Sequence, residues 1–84
     1  MGTALNEPVT VGVIFDRSVV KPAWFIRGQR RYPIQEVTQR WHTKEGQAPV
    51  LHLGVTDGTT CFELTFNQQT LAWHLASIEA NGCE

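Results

Sequence analysis

The sequence predicts an all-β fold: an antiparallel six-stranded meander that curls into a small barrel or roll. Three observations predict it. Apolar and polar residues alternate with a period of two over several short stretches. Glycine-bearing pairs that reverse a chain stand between those stretches, notably Gly28-Gln29 and Asp57-Gly58. The registers these turns impose collect large apolar side chains on a single face.

Taken in order, residues 1–8 read as a flexible leader ending at Pro8. Val9, Val11, Val13 and Phe15 form the apolar side of a first strand, and Asp16-Arg17-Ser18 reads as a turn. Val19 to Arg27 is a second strand, in which Pro22 marks an edge or a bulge. Gly28-Gln29 fits a two-residue turn with glycine first. That turn sets Arg27 opposite Arg30, Phe25 opposite Tyr32 and Ala23 opposite Ile34.

A third strand is expected from Arg30 to Thr43, with a bulge near Glu36. Tyr32 and Ile34 share one parity, whereas Val37 and Trp41 share the other, and one extra residue would restore a common face. The alternative over 34–41 is a short helix, because Ile34, Val37 and Trp41 also fit a spacing of three and four. Lys44 to Pro49 reads as a loop, followed by a strand carrying Leu51, Leu53 and Val55 on one face.

A two-residue turn at Asp57-Gly58 places Thr56 opposite Thr59, Leu53 opposite Phe62 and Leu51 opposite Leu64. A four-residue turn over Asn67–Thr70 then sets Leu64 opposite Trp73 and Phe62 opposite Leu75. After Ser77 the pattern fades. A single β domain over residues 9–78 with a flexible tail over 79–84 is the expected organisation.

The chain has 84 residues, 42% of them hydrophobic and 18% charged, which suits one folded domain and excludes whole-chain disorder. Two cysteines, Cys61 and Cys83, are too few for a disulfide scaffold. No signal-peptide pattern opens the chain and no apolar run spans a bilayer, so a reduced, cytoplasmic protein with no membrane partner is expected. All seven basic residues lie between Arg17 and Lys44, where Glu36 is the only acid, and this asymmetry suggests an anionic partner.

Two constellations could carry chemistry. Arg27, Arg30, Arg31 and Arg40 interleave with Trp24, Tyr32 and Trp41. Cationic grooves with aromatic platforms hold single-stranded nucleic acid, although a sequence pI of about 6.3 argues against a dedicated binder. The bland reading makes the aromatics core and the arginines their solvated neighbours. On the outer face, the expected register puts His52 opposite Glu63 and Glu63 opposite His74. Two imidazoles and a carboxylate can hold a divalent metal, or they can form a solvated polar ladder. Cys61, diagonal to both histidines, is read as an inert surface thiol rather than a nucleophile.

The stretch from Trp24 through Gly28 and Tyr32 to Ile34, then Val37 and Trp41, Asp57-Gly58 and Leu71-Ala72-Trp73-His74-Leu75, resembles a family of small bacterial β domains of uncharacterised function. The match covers roughly residues 22–75. Its hairpin pattern is also similar to tail segments of polymerase-like proteins of the bacterial DNA-damage response. The resemblance implies a β fold in a bacterial protein and brings no catalytic residue. The expected function is a non-enzymatic binding or adaptor module without a cofactor. Its partner would be a nucleic acid, another protein or a second copy of the chain.

Overall fold

A computed structural model describes residues 2–79, with side chains described from residue 5 onward. The described chain is all-β, with no helix, and is built from eight strands. They are β1 (Gly2–Pro8), β2 (Thr10–Asp16), β3 (Val19–Arg27), β4 (Arg30–Pro33), β5 (Glu36–Glu45), β6 (Ala48–Thr56), β7 (Cys61–Asn67) and β8 (Ala72–Glu79). They form two antiparallel sheets, one of five strands in the order β1-β8-β7-β6-β5 and one of three in the order β2-β3-β4.

The six-stranded meander closed into a barrel is therefore corrected. The expected leader is itself a strand, and the expected third strand breaks in two, its halves pairing in different sheets. The expected leader is strand β1, paired with β8, and the chain changes sheet at Val9, whose N–H bonds the Trp73 carbonyl at 3.2 Å. The expected third strand breaks at Ile34-Gln35. There the Ile34 N–H still bonds Ala23 in the small sheet at 2.9 Å, and the Gln35 N–H already bonds Thr56 in the large one at 2.8 Å. Pro33, just before the break, has no N–H to extend β4. The helix alternative over 34–41 is excluded by β5. A bulge does follow, at Thr38 rather than near Glu36, since Val37 faces Val55 and Gln39 faces Gly54.

The turns show where local chemistry decides register. Gly28 has φ +64° and opens a two-residue turn with Arg27 opposite Arg30 and Phe25 opposite Tyr32, as expected. Gly46-Gln47 repeats the device: Gly46 also has φ +64°, Glu45 faces Ala48, and the expected 44–49 loop shrinks to two residues. The Asp57 turn is longer than expected. Asp57 Oδ1 accepts the N–H of Thr59 at 3.0 Å and of Thr60 at 2.8 Å, so four residues separate Thr56 from its partner Cys61. Asn67 does the same for Gln69 and Thr70, which moves the last turn to residues 68–71.

These longer loops slip the pairing by two residues. Leu53 faces Leu64 and Val55 faces Phe62. Leu64 faces Leu75 and Phe66 faces Trp73, and a bulge near Ala76 brings Phe62 opposite Ile78. A slip of two keeps each side chain on its face. The core therefore still consists of Leu51, Leu53, Val55, Phe62, Leu64 and Leu75, closed by Phe25 from the small sheet. Phe25 is fully buried, stacks on Tyr32 at 4.9 Å and meets Phe62 edge-on at 5.0 Å. This aromatic trio is one of the contacts that join the two sheets. The expected tail from residue 80 onward lies outside the described residues, and Ser77–Glu79 belong to β8.

Candidate functional site

The register builds rows across the large sheet. On the inner face one row runs Glu7, Leu75, Leu64, Leu53, Arg40, from one edge strand to the other. Its three leucines are fully buried and its two ends are charged. At the β1 end, Arg27 of the small sheet grips Glu7 with two bonds, Nε to Oε1 at 2.8 Å and Nη2 to Oε2 at 3.2 Å. The Arg27 guanidinium holds the Glu7 carboxyl below the usual carboxylate range. Arg40, at the β5 end, is exposed and has no such partner among the described residues.

Strand β5 is the edge of that sheet, and among the described residues nothing pairs with its outer side. It is ten residues long and nine of them are exposed. After the bulge, Arg40, His42 and Lys44 alternate along it with Trp41 and Thr43. Arg40 stands opposite Leu53, His42 opposite Leu51 and Lys44 opposite Pro49, so the three nitrogen-bearing side chains share the inner face. None of the three has a hydrogen bond or ion pair among the described residues. Sequence reading singled out Arg40 and Trp41 but not His42 or Lys44. The period of two was visible, whereas its placement on an open edge was not.

The remaining basic residues are not gathered into one face. Lys21 pairs with Asp16 at 3.0 Å and Arg27 with Glu7. Arg30 lies over Tyr32 at 5.2 Å and Arg31 over Trp24 at 4.7 Å. Adjacent on β4, Arg30 and Arg31 point to opposite sides. Trp24 is covered by Arg31 on one side and by Gly12 on the other, and so offers no open platform.

On the outer face, Trp41, His52, Thr65 and His74 form a row. The expected register of His52, Glu63 and His74 is corrected: the longer loops move Glu63 opposite Gly54 and Ser77, and Thr65 takes its place between the histidines. His52 Nδ1 still reaches Glu63 Oε2 diagonally at 3.0 Å, while its Nε2 lies 2.7 Å from Thr43 Oγ1. Both ring nitrogens are thus occupied, and the Trp41 indole stacks on the ring at 5.0 Å. Among the described residues no group of three or more His, Cys, Asp or Glu converges to hold a metal. A groove of about 470 Å³ runs beside this row, lined by Asn6, Asn67 and Thr70 among others.

Cys61 is half-buried and disulfide-bonded, which corrects its reading as an inert free thiol. A bonded sulfur is no nucleophile, and the cytoplasmic expectation loses the support drawn from reduced cysteines. No helix among the described residues is long and apolar enough to cross a membrane. No protein-family model, curated protein or solved structure matches the chain.

Proposed function

We propose that the protein is a non-enzymatic binding module that takes up an extended segment of a partner protein along the outer edge of β5. The observation that carries this reading is the ten-residue edge with no neighbouring strand among the described residues. An added strand satisfies the main-chain groups of such an edge and gains affinity from them, while alternate side chains give specificity. The other three sheet edges are poorer templates. β4 has four residues, β1 ends in Pro8, and β2 is seven residues long against ten in β5. Nucleic-acid binding through residues 17–44 is the weaker reading, because Lys21 and Arg27 are already paired and Arg30 and Arg31 diverge.

A ten-residue peptide library displayed on phage, selected against the immobilised protein, tests the reading. Hydrogen exchange then locates each enriched peptide. The expected result is slowed exchange of β5 amides, with a change in Trp41 fluorescence. No enrichment, or peptides that protect other strands and leave β5 unchanged, would overturn it.

A further inference from the structure

We infer that the segment bound at β5 is acidic, with carboxylates at alternate positions lying beside Arg40, His42 and Lys44. This rests on the reading of β5 as the binding edge and names the chemistry of what it binds.

The argument starts from the two ends of the Glu7–Arg40 row. At the β1 end the structure closes the row with an opposite charge, Arg27, brought from the small sheet. At the β5 end, the same row stops at a guanidinium with nothing facing it among the described residues. The next inward positions along the strand repeat the situation with His42 and Lys44. A strand added beside β5 sets its own inward side chains directly across from these three, about 5 Å away at Cβ. Opposite charges at such positions stabilise a pair of strands and like charges destabilise it. A carboxylate at every second position therefore matches Arg40 and Lys44 by charge and can accept a hydrogen bond from the His42 imidazole, and a lysine-bearing strand is rejected.

The same rule disfavours a second copy of the chain as the occupant. Antiparallel self-pairing of β5 keeps inward residues opposite inward residues. It would set Arg40 across from Lys44, or His42 across from His42, of the partner. The outward positions of the added strand lie beside Trp41 and Thr43, where uncharged β-formers fit.

Three fluorescein-labelled ten-residue peptides test the inference. Each has threonine at every second position, with glutamate, glutamine or lysine between. Anisotropy titrations at pH 7 in low and high salt, with hydrogen exchange on the complexes, give the readout. The glutamate peptide should bind roughly tenfold tighter than the glutamine one, as two charge pairs of modest strength, at Arg40 and Lys44, imply. High salt should erase that margin. In an Arg40→Gln, Lys44→Gln double variant the glutamate preference should vanish while binding of the glutamine peptide persists. Equal binding of the glutamate and glutamine peptides, with β5 amides protected, would overturn the acidic specificity and leave the edge reading standing. Failure of all three to protect β5 would overturn both. A dimer by sedimentation that the glutamate peptide cannot dissociate would make a second copy the occupant and overturn the acidic inference.

Discussion

The indole of Trp24 lies flat over Gly12, so close that a Cβ built on the glycine would fall 2.1 Å from Trp24 Cε2. The two residues face each other across β2 and β3, and the Arg31 guanidinium covers the ring at 4.7 Å. The ring is therefore held between backbone and cation. Gly12→Ala must push it outward, at a cost of about 1–3 kcal/mol, the range for overpacking. Urea denaturation should show the lower midpoint, and tryptophan emission should shift to the red. An unchanged midpoint would mean that the ring is free to move.

The Glu7–Arg27 pair predicts an acid-sensitive junction between the sheets. The Glu7 carboxyl is held below its ordinary range chiefly by the hydrogen bond from Arg27. The folded protein therefore binds that proton less readily than the unfolded chain. The resulting stability is fully present at neutral pH, above the unfolded value. It fades as the pH falls below about 4 and through the lowered folded value. Denaturation midpoints of Glu7→Gln and the parent protein should differ at pH 7 and converge in acid. Parallel profiles down to pH 2 would show that the pair contributes nothing.

Asp57 predicts a second effect of the same sign by a different cause. Its carboxyl is lowered chiefly by the backbone N–H groups of Thr59 and Thr60 that it accepts. Asp57→Ala leaves those donors without their acceptor and should cost about 1 kcal/mol, whereas Asp57→Asn keeps an oxygen in place and should cost less. Equal losses for the two variants would assign the effect to charge rather than to turn geometry.

These turns also explain how much of the fold could be read from the sequence. The Gly28-Gln29 hairpin was legible because one glycine with positive φ suffices for a two-residue turn, and the Phe25–Tyr32 pair followed. Asp57-Gly58 carries the same kind of signal, but its aspartate side chain bonds two and three residues ahead and lengthens the loop. Because the slip is of two residues, the inner face survived and Leu53, Leu64 and Leu75 are core as expected. The outer face depends on which residue stands opposite which, so Thr65 replaced Glu63 in the histidine row. The parity break after Ile34 was visible too. A bulge and a change of sheet both produce it, and here both occur, at Thr38 and at Ile34-Gln35. The alternation of Arg40, His42 and Lys44 acquired meaning only once β5 proved to be an edge.

Two phenylalanines separate what holds the fold from what merely decorates it. Phe25 is fully buried between the sheets, touching both Tyr32 and Phe62. Phe15, near the end of the β2–β3 hairpin, is 71% exposed, with Ile14 beside it at 57%. Phe25→Ala removes the fully buried aromatic contact between the two layers and should cost about 3–5 kcal/mol. That is a large share of what so small a domain can have, so the variant should be substantially unfolded at room temperature by circular dichroism. Phe15→Ser should change stability by no more than about 0.5 kcal/mol. It should also raise the concentration at which the protein stays monomeric, because it removes an exposed apolar side chain from the hairpin. A Phe15→Ser variant as unstable as Phe25→Ala would show that the hairpin folds back onto the core.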